Sequence, residues 1–140
     1  MNKEVKITIS TDKNCRELAL FNKALIDDGG SINAMSLEEL ENRMREFITS
    51  GFVAMIFEVE NIHIGYALID TNKTPFFIRQ FFIGKEFRRR GYGRTAFSKI
   101  VEYFNTDQLD LTVLCNNEIA YKFWINCGLV PYETILHYRK

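Results

Sequence analysis

The chain has 140 residues, enough for one domain around one hydrophobic core and too few for a second. Hydrophobic residues make up 46% of it, charged residues 26%, and twelve Phe can fill an interior, a composition that excludes a disordered chain. Eighteen basic side chains balance eighteen acidic ones, so no protein-wide field attracts nucleic acid or an anionic membrane, and any anion site must be local.

The cysteines Cys15, Cys115 and Cys127 are odd in number, and Met1 to Glu4 lacks the apolar stretch of a secretory signal, so a reducing, cytoplasmic setting is expected. The longest apolar run, Phe52 to Phe57, falls far short of the roughly 20 residues that span a bilayer. Cys115 and Cys127 lack metal-ligand spacing and are expected to be core thiols, and no metal is expected.

In chain order, Val5 to Ile9 alternates apolar and polar residues, the period of a half-buried strand. Leu18, Phe21 and Leu25 recur at helical spacing, and Asp27-Asp28-Gly29-Gly30 ends that first helix. Ser36 and Glu39 have capping-box spacing, and Leu37, Leu40, Met44, Phe47 and Ile48 line one face of a second helix that stops at Gly51. Phe52 to Val59 and Ile62 to Ile69 form a hairpin turning at Glu60-Asn61, and Phe76 to Ile83 is the next strand. Phe97, Ile100, Val101 and Phe104 predict a helix, Leu109 to Leu114 a short buried strand, and Ala120, Phe123, Trp124 and Cys127 another helix closed by Gly128. Leu129 to Tyr138 reads as a last strand. The order predicts an α/β domain over residues 1–140, antiparallel in the middle of its sheet and βαβ-like later.

Chemistry concentrates between the strand ending at Ile83 and the helix starting near Gly93, where Arg88-Arg89-Arg90-Gly91-Tyr92-Gly93-Arg94 stands. Gly91 and Gly93 remove Cβ atoms that would block an anion from the backbone, and the first amides of a helix are unpaired. The arginines add planar multi-donor cations suited to pyrophosphate, so a phosphorylated cofactor is the expected ligand. The third glycine of a Rossmann fingerprint and the Lys-Ser or Lys-Thr pair of a Walker loop are both absent.

Arg88-Arg89-Arg90-Gly91-Tyr92-Gly93 resembles the acetyl-coenzyme A signature of the Gcn5-related N-acetyltransferase (GNAT) superfamily: Arg or Gln, two residues, Gly, one residue, Gly or Ala. Asn117, Ala120, Phe123-Trp124 and Gly128-Leu129 are similar to a second pattern of that family, and the element order also matches. The resemblance implies a mixed, mostly antiparallel sheet of six or seven strands flanked by about four helices, with acetyl-coenzyme A as co-substrate. It implies that the pantetheine arm lies between splayed strands and pairs with backbone groups of Phe81, Phe82 and Ile83. The pyrophosphate would rest on amides from Arg89 to Arg94, and Asn117 would bond the cofactor arm while also capping its helix.

The implied reaction is direct attack of an acceptor nitrogen on the thioester carbonyl in a ternary complex, with oxyanion donors from backbone near Ile83. Many family members carry Tyr as the acid where this chain has Trp124, an indole that donates a hydrogen bond but gives up no proton. Tyr121 and Tyr132 are the substitute phenols, and Trp124 can also be a core residue. No carboxylate occupies Phe77 to Gln80 or Thr112, which leaves Glu58, Glu60 or water as base, with His63 and His137 placed by no motif.

Arg79 and Gln80 interrupt an apolar strand, and strand alternation predicts that they face opposite sides of the sheet. An Arg79 in the cleft would favour an acceptor with a carboxylate or phosphate; the alternative is an ion pair with Glu58 or Asp70. The acceptor is a small-molecule amine or a protein amino group, and the competing function is a catalytically silent module that binds acyl-coenzyme A. An edge strand near the C-terminus would suit a homodimer.

Overall fold

Alternation and caps set most of the elements, and the computed structural model describes them over residues 3–29 and 33–140. The chain runs β1 (Lys6–Ile9), α1 (Cys15–Asp28), α2 (Leu37–Thr49), β2 (Phe52–Val59), β3 (Ile62–Asp70) and β4 (Phe76–Ile83). It continues through α3 (Tyr92–Phe104), β5 (Leu109–Asp110) and α4 (Glu118–Asn126). Short 3-10 turns lie at Asp12–Asn14 and Lys85–Phe87. Gly30, the last residue of the stop signal read after the first helix, lies outside the described residues, as do Met1 and Asn2 of the start.

The local chemistry is visible at the ends. The Glu39 amide donates to Ser36 Oγ at 3.1 Å and the Ser36 amide to Glu39 Oε1 at 2.9 Å, so the capping box starts α2. Glu60 and Asn61 both have positive φ, 50° and 66°, the backbone of a two-residue turn whose twist suits a β2–β3 hairpin.

The strands lie in the order β1-β2-β3-β4-β5, antiparallel except for β5, which runs parallel to β4 after the α3 crossover. Alternate residues of β2 feed two cores. Ala54 and Ile56 pack with Leu18 of α1 and Met44 of α2, while Met55 and Phe57 pack with Tyr92, Ala96 and Ile100 of α3. Helices therefore cover both faces, and each fully buried Leu, Ile or Phe contributes about 1.5–3 kcal/mol. Among the described residues no helix is long and apolar enough to cross a membrane.

Three expectations change. The sheet has five strands among the described residues, not six or seven. The predicted strand from Leu109 to Leu114 pairs only over Leu109–Asp110. Residues 129–140 form no strand and are almost wholly exposed, so the strand period of the sequence there is not met by pairing with the described sheet.

At Gly65, β3 and β4 come so close that an added Cβ would lie 2.0 Å from the Phe82 carbonyl oxygen. Gly65→Ala must push the two strands apart, and urea unfolding should show a loss of about 3 kcal/mol, at the upper end of overpacking costs.

Candidate active site

After Phe76 with Leu109 and Phe77 with Asp110, β4 and β5 separate. The gap is a cleft of about 220 Å³, walled by Ile78 to Phe81 of β4, by residues 111–114 and by Asn117, Ala120 and Trp124. Backbone hydrogen bonds do not hold the far wall to the sheet, and aromatic rings do so instead. Trp124 of α4 lies 4.9 Å from Phe81, 5.4 Å from Phe97 of α3 and 4.7 Å from Phe123, all edge-on. The β4 edge facing the cleft is left for a ligand to pair with.

At one end of the cleft region α3 begins. Gly91 is its N-cap with φ of 82°, a left-handed conformation that explains the glycine, and it has no side chain to cap the helix. The first intrahelical bond runs from the Thr95 amide to the Gly91 carbonyl at 3.1 Å, so the amides before it remain for an anion. Arg89, Arg90 and Arg94 are exposed, and among the described residues none of them is in an ion pair. The Tyr92 side chain is buried in the core, which leaves its amide as its contribution.

Two members of the motif have duties other than those read from sequence. An added Cβ on Gly93 would sit 3.0 Å from the Phe123 ring, so this glycine lets α3 and α4 approach rather than clearing space for an anion. Arg88 donates from Nε to the Ile83 carbonyl at 2.7 Å, pairs with Asp28 at the end of α1 and lies over the Phe82 ring. It clasps the loop to α1. Burial alone would raise the Asp28 pKa, but the hydrogen bond and charge of Arg88, helped by Lys85 at 3.5 Å, hold the carboxyl below its usual range.

Arg79 and Gln80 do not face opposite sides of the sheet. Leu68 pairs with Gln80 and Ile69 with Ile78, so Arg79 is the extra residue of a β-bulge. Both side chains then point toward α1 and α2: Arg79 lies 5.0 Å over the Phe47 ring, and Gln80 Oε1 accepts from the Tyr66 hydroxyl at 2.7 Å. Among the described residues Arg79 pairs with neither Glu58 nor Asp70. Behind Gln80 a polar cluster lies in the core, in which Arg43 Nη2 donates to Asn22 Oδ1 at 2.9 Å beside the buried Tyr66 hydroxyl. Burial pushes the Tyr66 phenol far above its ordinary range, so it stays neutral. Sequence reasoning missed this cluster; its one signal was Asn22, polar on the apolar face of the first helix.

The remaining candidates divide. Asn117 accepts from the Ala120 amide at 3.1 Å, the expected cap, and lines the cleft. Trp124 is buried on the cleft wall, whereas Tyr121 and Tyr132 are exposed and outside the lining. Phe81 lines the cleft, and the Phe82 and Ile83 side chains are buried in opposite cores. Glu60 pairs with Lys3, and Glu58 and Glu17 flank His63 at 3.3 and 2.6 Å, away from the cleft. His137 is exposed near the C-terminus. Cys115 is exposed rather than a core thiol, and burial pushes Cys15 and Cys127 up. Among the described residues no group of His, Cys, Asp and Glu is placed to hold a metal.

Because the folded Asp28 pKa is lowered, the Arg88 clasp stabilises the fold above the unfolded aspartate range near about 3.9 and loses that contribution as pH falls through the folded value. Urea unfolding of Asp28→Asn should fall below the parent by up to about 1 kcal/mol at neutral pH, with the difference vanishing in acid.

The Acetyltransferase (GNAT) family model matches residues 18–129. No curated protein matches the chain. Among solved structures it is similar to the aminoglycoside N-acetyltransferase AAC(6')-Iy in complex with CoA, with TM-score 0.80, 14% identity and coverage of 100% of this chain and 97% of that one. It is similar to a possible acetyltransferase from Clostridium difficile 630, with TM-score 0.77, 14% identity and 97% of each chain covered. The tetramutant of BH1408 protein from Bacillus halodurans gives TM-score 0.76 and 20% identity over 96% of this chain and 99% of that one. These likenesses show a shared fold. The chain belongs to the acetyltransferase (GNAT) family.

Proposed function

We propose that this protein moves an acetyl group from acetyl-coenzyme A to the amine of a small molecule by direct attack within a ternary complex. The observation that carries this reading is the split between β4 and β5, which opens an unpaired strand edge leading toward the free amides of α3. Acetyl-coenzyme A supplies an activated thioester carbonyl and a thiolate leaving group. The amides at the start of α3, with Arg89, Arg90 and Arg94 around them, suit its pyrophosphate. The exposed β4 edge suits the amide groups of its arm, and β4 backbone donors near the bulge suit the developing oxyanion, a contribution of about 3 kcal/mol in preorganised sites. Asn117 would bond the arm from the opposite wall.

Of the expected proton carriers none stands in the cleft: its lining has no carboxylate, histidine or tyrosine. Water serves as base for an amine of modest pKa and as acid for a thiol whose own pKa lies near about 8.5. The same observation favours the second reading, a module that binds acyl-coenzyme A without turnover. The relative named as an aminoglycoside acetyltransferase acts on a polycation. Here the lining holds Arg79 and no carboxylate, an unfavourable surface for such an acceptor.

Calorimetry with acetyl-coenzyme A, together with thiol release over a panel of small amines, tests this function. Binding with acceptor-dependent release is the expected result; binding without release supports the silent module, and no binding by folded protein refutes both. Gly91→Glu places an anion in the phosphate cradle and should weaken binding at least about tenfold, whereas Gly91→Ala adds only backbone strain of about 1 kcal/mol.

A further inference from the structure

Arg79 and Arg43 share one aromatic support and no counter-ion. Their guanidinium carbons stand 5.0 and 5.7 Å from the centre of the Phe47 ring. Among the described residues neither takes part in an ion pair, and Arg43 Nε is buried with no hydrogen-bond partner. Burial and the charge of Arg79 both push the Arg43 pKa down, the mark of two cations held together against repulsion. Nothing in the neighbouring lining compensates them. Arg43 is half-buried and Arg79 exposed, so the two cations give the mouth of the cleft a local positive potential that an anion brought by a ligand would meet.

The adjacent polar cluster has a fixed direction. Arg43 only donates, so Asn22 presents its carbonyl to it, with the buried Tyr66 hydroxyl close by. Tyr66 donates to Gln80 Oε1, which leaves the Gln80 Nε2 protons directed away from Tyr66 on a residue that lines the cleft. The bulge at Arg79 brings this donor and the Arg79 fork to the same side of β4, next to the edge where β4 parts from β5.

We propose that Arg79, backed by Arg43 and joined by the Gln80 amide, binds an anionic oxygen group, a carboxylate or a phosphate, carried by the acceptor amine. The assignment rests on the acetyl-transfer reading and names its acceptor class: an amine with an acidic group elsewhere in the molecule. Arg79 supplies a bidentate fork that fixes the pose of the acceptor, and Arg43 raises the local potential from behind.

Trp124 is the one tryptophan of the chain and stands on the cleft wall, so its fluorescence reads binding without turnover. Titrations with glutamate and phosphoethanolamine should give dissociation constants at least about tenfold below those for ethanolamine and spermidine, amines that carry no acidic group. Arg79→Gln should erase that preference and Arg43→Gln should shrink it, while acetyl-coenzyme A binding stays unchanged in both. A stronger response to glutamate names the carboxylate; a stronger one to phosphoethanolamine names the phosphate. Equal binding of the amines that carry no acidic group, a preference that survives Arg79→Gln, or no binding of either acid overturns the proposal. A preference for acids without thiol release from any of them would refute acetyl transfer and leave the anion site standing.

Discussion

Because β4 meets β5 at only two residue pairs, the remainder of β4 keeps a row of backbone donors and acceptors that the fold itself never uses. Parallel pairing through a crossover helix would ordinarily continue along the strand and bury that row. Here the rings of Phe81, Phe97, Phe123 and Trp124 take over the work of joining α4 and the chain after β5 to the rest of the domain. Ring contacts are non-directional compared with a hydrogen-bond ladder, so they hold the far wall at a distance without closing the gap. The cleft, the start of α3 beside it and the position of Asn117 all depend on that exchange of one kind of bonding for another.

The bulge at Arg79 is a second constraint acting on the same strand. One extra residue interrupts the alternation of side chains, so that two consecutive polar residues share a face and the pairing beyond them is offset by one. The polar cluster of Arg43, Asn22 and Tyr66 reaches Gln80 and locks that arrangement from inside the α1 and α2 layer. The strand thereby presents two distinct surfaces: its open edge near the start of α3, and its bulged side chains toward α1 and α2.

The motif around Gly91 illustrates how far a residue pattern carries. Its local form was legible, since a glycine and arginines at the unpaired first amides of a helix follow from the residue types alone. The individual duties were not. Arg88 clasps Asp28, 60 positions away, and Gly93 accommodates Phe123 of another helix, contacts that no local spacing encodes. The same holds for Arg79 and Gln80: strand alternation gave opposite faces, and only pairing with β3 reveals the inserted residue.

By itself the sequence determined the α/β class, the capping box of α2, the Glu60-Asn61 turn, the bounds of β2 and β4, and the family signature, because each of these is written in residues close together along the chain. Tertiary structure alone decided that the predicted strand at Leu109 stops after two residues, that residues 129–140 do not pair with the described sheet, and that two arginines meet over Phe47 without a counter-ion. Strand period states that a segment can pair, whereas pairing requires a free edge within reach, and the charge at a site depends on side chains drawn from separate elements.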